Sequence, residues 1–186
     1  GLPDGWTAKE MGPFLVLNHS DAKYAKALVS HASAVWKWLH ENFDYVGEGE
    51  YVRKPIIRIC KDADERRAFS SGTAWGPSIE IVTHKDTSGG SMSWEFERVN
   101  KRLLGIWFRH HARDTYSAFP HWLDSGLDQV IGTARAKGSR LEFQADQWEL
   151  EGLREAVRND KVTPLEDLVK MGTQDFYGQR TRSKEA

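Results

Sequence analysis

The chain holds one cysteine, Cys60, among 186 residues. That excludes an internal disulfide and any metal site built from several thiolates. The setting of Cys60, Ile56-Ile57-Arg58-Ile59-Cys60, reads as a buried packing position. No apolar run approaches the roughly 20 residues that cross a bilayer as a helix. An excess of one charge is also lacking: 26 basic residues face 27 acidic ones, for a formal net charge of -1. Neither nucleic acid nor an anionic membrane is demanded as a partner. There is no internal repeat and no low-complexity tract, and Gly89-Gly90 makes no phosphate motif. Gly1-Leu2-Pro3-Asp4-Gly5-Trp6 has no signal-peptide character, so a targeting segment is expected to lie outside this chain.

Aromatics, by contrast, are plentiful: eight Trp, eight Phe and five Tyr. They imply a large aromatic core or exposed rings at a cleft. Apolar residues at 39% and charged residues at 28% suit one globular domain. A chain of this size buries roughly 70% of its unfolded surface, enough for a core without staples.

Patterning predicts a strand at Phe14-Leu15-Val16-Leu17 and a helix capped by Ser20 or Asp21 and running to about Asn42. Val46 to Lys54 reads as a loop, and Pro55 to Cys60 as a second strand. Asp62 and Glu65 have capping-box spacing at the start of a short helix. Gly72 to Pro77 is a turn, Ser78 to Thr83 a third strand, and Thr87 to Ser91 a flexible segment. A long helix follows from about Met92 to Arg113, with Phe96, Val99, Leu103, Ile106, Trp107 and His110 on one stripe. Pro120 opens a helix to about Ala134, ended by Gly138. Trp148 to Arg158 and a segment capped by Thr163-Pro164 complete the helical half. The order predicts an α+β fold: a small mixed sheet with an antiparallel edge, packed on a long helix and followed by helices. Residues 1–12 read as an N-terminal extension, 13–178 as the domain and 179–186 as a polar tail.

Two strings stand out together, Ile106-Trp107-Phe108-Arg109-His110-His111 and Pro120-His121-Trp122-Leu123-Asp124-Ser125-Gly126-Leu127. Their pairing resembles the gluzincin zinc metallopeptidases, in particular the bacterial peptidase-MA-like group. Those domains carry His-Glu-x-x-His on one helix and Pro-x-Trp-Leu-x-Glu-Gly-Leu-Ala on the next. Here Pro120, Trp122, Leu123, Gly126 and Leu127 match the second motif. Two His four apart on a helix hold zinc, the adjacent Glu activates the zinc-bound water, and a Glu from the next helix is the third ligand.

In the register this resemblance implies, His110 stands at the second His, Ile106 at the first, Trp107 at the general-base Glu and Ser125 at the ligand Glu. One ligand of three remains and the base is gone. Thr163-Pro164-Leu165-Glu166-Asp167-Leu168 is similar to the family's Pro-Leu-x-x-Leu segment, so the likeness spans about Pro13 to Tyr177. It implies a zincin-like fold, a catalytically inactive domain and no bound cofactor. It also implies export to the periplasm or cell envelope, and a cleft that binds a peptide or protein partner. Trp107, His110, His121, Trp122 and Ser125 are the cleft candidates, and Ser78 to Thr83 is the candidate sheet edge for an added strand.

Two alternatives stay open. The first is a relocated metal site for zinc, using His110, His121, Asp124 and Asp128. Against it, Asp124 and Asp128 also suit the start of a helix for dipole reasons. The second is a structural module of a larger envelope assembly, which predicts a cleft filled by aromatic side chains. Ser125-Gly126 is no nucleophile elbow, because Gly is missing two places before the Ser. His31 reads as a core histidine, His111 as solvated, and His19, His40 and His84 carry no spacing signal. Trp36 and Trp38 read as packing residues, with one of them exposed.

Overall fold

A computed structural model describes residues 2–46, 53–70, 79–85, 92–138, 140–145 and 147–182. The turn expected at Gly72 to Pro77, the segment Thr87 to Ser91, the first residue of the third strand and most of the loop after Val46 lie outside the described residues.

Four strands form one mixed sheet: β1 (Thr7–Met11), β2 (Phe14–Asn18), β3 (Ile56–Cys60) and β4 (Glu80–His84), in that spatial order. β1 and β2 are antiparallel, while β2, β3 and β4 run parallel. β1 falls within the stretch expected to be an extension. Its signal was Gly12-Pro13, a two-residue turn joining paired Met11 and Phe14. Gly12 has φ +59, the value a II′ hairpin turn requires of its first residue. The antiparallel edge is therefore β1. β4, expected as the edge for strand addition, is the opposite end of the sheet and parallel to its neighbour.

Helix α1 (Ala22–Phe43) starts where the Asp21 side chain accepts from the Tyr24 amide at 2.7 Å. Its buried positions Leu28, Ala32, Val35 and Leu39 recur at helical spacing and face the sheet. α2 (Ala63–Ser70) lies on the other face of the sheet, where Phe69 packs with Trp6, Leu17, Ile56 and Cys60. Cys60 is fully buried, and that burial pushes its thiol up to about 12. Arg58 and Glu80 form a buried pair at 2.6 Å on this face, with the guanidinium over the Trp6 and Phe69 rings.

α3 (Met92–His111) packs between α1 and α5 (His121–Gly132), with a short α4 (Arg113–Ser117) in between. Pro120 is the N-cap of α5 rather than its first residue. The helix ends at Gly132, and the chain turns into a hairpin, β5 (Ala134–Lys137) and β6 (Arg140–Phe143), that the sequence reading took as helix end and break. Gly138, at φ +63, turns this hairpin. Three helices follow: α6 (Gln147–Arg158), α7 (Leu165–Leu168) and α8 (Thr173–Arg182). α8 begins inside the expected domain and extends into the expected polar tail. The fold is α+β with a small mixed sheet, as the element order implied.

A buried polar knot ties these layers. His31 of α1 is 2.8 Å from Asn100 Oδ1 of α3 through Nε2, and its Nδ1 accepts from the Ala136 amide at 3.2 Å. That amide fixes Nδ1 as the acceptor, so Nε2 carries the proton and donates to Asn100. The Asn100 amide donates to the carbonyls of Ile131 (2.9 Å) and Ala134 (3.0 Å). Phe96 stacks on the His31 ring at 4.2 Å. His31 is thus the satisfied core histidine its position suggested.

Protonating His31 would set N–H against N–H at Ala136. Burial lowers its pKa from the ordinary 6.5, and the Asn100 bond only partly opposes this. As pH falls the unfolded chain takes up the proton first. The stability His31 confers is full above about 6.5 and drains as pH drops toward the folded value. His40 is shifted the same way by burial and adds to the trend. Urea titrations between pH 7 and 5 should show stability falling, with a shallower fall in His31→Gln. Asn100→Ala takes the partner from His31 Nε2–H and from the Ile131 carbonyl, while the Ala134 carbonyl keeps Arg135, and should cost about 2–4 kcal/mol at pH 7.

Candidate functional site

α3 carries the first motif in its last two turns. Residues Leu103, Leu104, Gly105, Ile106, Trp107 and Phe108 are all buried in sequence. Six consecutive residues cover more than a full turn, so the helix is enclosed all round at this level. The single stripe read from the sequence was too narrow a description. Ile106 and Trp107 are each 0% exposed. Trp107, expected to line a cleft, is therefore a core residue.

Its surroundings are rings. His111 stacks on Trp107 at 4.8 Å, and His40 meets it edge-on at 5.7 Å. Phe43 and Phe108 lie at 6.0 and 5.1 Å. Tyr116 and Phe119 extend the cluster through Phe108. His111, expected to be solvated, is buried here beside Trp36 and His40. The Trp107 Nε1–H is buried without a hydrogen-bond partner. Trp36 is buried, and Trp38 is half-buried against Phe43 and Phe143, so neither is exposed. The sequence signal for this cluster was present in Trp36, His40 and Phe43, which repeat at helical spacing on α1.

α5 carries the second motif. His121, Trp122, Asp124, Ser125, Leu127 and Asp128 are all half-buried. Burial first, and then the nearby Asp124 carboxylate, push the Tyr116 phenol up to about 12. Asp128 is raised by burial and next by the Asp124 charge, opposed by Lys101 and Arg109. The Arg109 guanidinium lies 5.9 Å from the Tyr116 ring. His121 turns elsewhere: its Nε2 is 2.5 Å from Thr173 Oγ1, and its ring is 5.5 Å from that of Tyr177 on α8. His110, at the end of α3, is half-buried. His121 of the relocated metal set thus engages α8, away from the neighbours of the Asp124 and Asp128 carboxylates. Among the described residues no three His, Cys, Asp or Glu side chains form a metal-holding group. His121 is engaged with α8, and Asp124 and Asp128 act on each other as like charges on α5.

No protein-family model, no curated protein and no solved structure matches this chain. The likeness to peptidase-MA-like domains rests on the residues of the two strings.

Gly126, part of the second motif, is exposed, and a Cβ there would meet nothing within 4 Å. Neither close approach nor a positive φ requires glycine at this point. Gly126→Ala should raise stability by up to about 1 kcal/mol, the helix-propensity difference. Trp107→Ala removes a fully buried ring from the aromatic cluster and should lower stability by about 3–5 kcal/mol. Urea unfolding of both variants checks these values; a cost below about 1 kcal/mol for Trp107→Ala would contradict its core placement.

Proposed function

We propose that this chain is a metallopeptidase-like domain without hydrolytic activity that binds an extended peptide or protein segment. The observation that carries this reading is the enclosure of Ile106 and Trp107. The two positions matching the first zinc ligand and the general base hold side chains that can neither ligate zinc nor take a proton from water. Both also lie where no substrate reaches. Rebuilding the enzyme there would place an imidazole and a carboxylate among packed rings, which costs several kcal/mol for an unpaired charge.

The binding half of the reading rests on the sheet. β4 is a terminal strand among the described residues, beside the N-terminal half of α3. A terminal strand offers backbone donors and acceptors to an added strand. On this reading a peptide added to β4 would lie along a zincin-like cleft whose metal floor is filled in.

A structural module inside an envelope assembly is the second reading. One observation favours it: the old motif helix is packed with aromatic rings, as a filled cleft would be.

Hydrogen exchange separates the two. The full chain is mixed with a synthetic library of extended Val- and Thr-rich peptides. The backbone amides of Glu80–His84 are followed, together with the integrity of the peptides. Added protection on β4 with intact peptides is expected. Cleaved peptides would contradict the loss of hydrolysis, and no protection with any peptide would leave the structural module.

A further inference from the structure

After Ala134 the chain builds no core: every described residue there is exposed or half-buried. Helix α6 lies in this stretch, with 12 residues and none of them buried. A helix of that length is marginal in water alone and draws its stability from packing an apolar face. α6 has such a face. Leu150, Leu153 and Val157 recur three and then four residues apart, on one stripe. Leu153 is 53% exposed and Val157 62%, while Leu150 is half-buried. The face is built but uncovered.

The spacing names the kind of partner. Three then four is the repeat of a coiled-coil seam, with Leu150 at a, Leu153 at d and Val157 at the next a. Glu149 then stands at g and Arg154 at e, exposed on opposite flanks of the seam. In two parallel helices the g residue of one meets the e residue five places on in the other, and such pairs set partner choice and orientation. Glu149 of one copy would meet Arg154 of the other, twice over by symmetry. An antiparallel pair would instead set the Arg154 flanks together and the Glu149 flanks together, like against like. Arg154 also reaches Glu151 of its own helix at 2.6 Å, with side chains 56% and 66% exposed. A pair that exposed contributes little and is exchanged at little cost.

We propose that α6 is a docking face for a second copy of this chain, the two helices lying parallel and in register along Leu150, Leu153 and Val157. One sequence supplies both the apolar seam and the complementary flanks, so a second copy answers everything the face presents. The seam is under two heptads long and covers little area, so the dimer is weak and forms at high chain concentration. This surface is independent of the strand-addition reading of β4.

Sedimentation equilibrium of the full chain at low salt, over a wide range of concentration, tests the proposal. A monomer–dimer equilibrium is expected. Leu153→Glu puts a carboxylate into the seam and should abolish the dimer. Glu149→Arg and Arg154→Glu should each weaken it about tenfold, by setting like charges across both flanks. An equimolar mixture of these two variants should restore dimerisation, because each then supplies the charge the other lacks. All three substitutions lie on an exposed helix outside the core, and an unchanged far-UV spectrum confirms that the fold is kept. A chain that stays monomeric at every concentration would overturn the proposal, as would a dimer indifferent to Leu153→Glu. A mixture that associates no better than either charge variant alone would overturn the parallel register.

Discussion

The enclosure of α3 is the constraint on which the rest depends. From Leu103 to Phe108 every residue is buried, against α1 on one side and α5 on the other. A helix buried all round has no face to offer a substrate. In a gluzincin enzyme the same stretch must show two imidazoles and a carboxylate to a water-filled cleft. On the proposed reading, Ile106 and Trp107 stand where that chemistry would need polar side chains. The aromatic cluster of Trp36, His40, Phe43, Trp107, Phe108 and His111 packs around this stretch. It also accounts for a composition rich in rings.

The knot of His31 and Asn100 is the polar counterpart of this packing. It links α1, α3, the end of α5 and the start of the β5–β6 hairpin through four bonds that satisfy both ring nitrogens of His31 and the whole Asn100 amide. Such a network holds one register of the three helices, because a shift of any one leaves buried groups unpaired. The buried Arg58–Glu80 pair does similar work across β3 and β4, between the Trp6 and Phe69 rings.

Much of this was legible in the residues. Asp21 as a cap, the 3.6-residue period of α1 and the β-branched centre of β3 are local signals, and each element formed where they placed it. His31 and Cys60 were legible as core because they sit on apolar stretches. The two hairpins were missed. Gly12-Pro13 follows a segment with little apolar content, and Gly138 fits a helix stop as well as the hairpin turn it makes. Trp107 and His111 were misplaced for a different reason. A one-stripe reading assumes that one side of a helix meets water, and whether a second layer covers that side depends on α5 and on rings far away in sequence.

The deciding property of the motif region is whether it holds a metal. Elemental mass spectrometry on the full chain, purified without chelator and without nickel resin, measures this directly. The enclosure of Ile106 and Trp107 predicts far less than one zinc or other divalent ion per chain. About one zinc per chain, lost on mutating His110, His121 or Asp128, would contradict it and return the domain to the hydrolases.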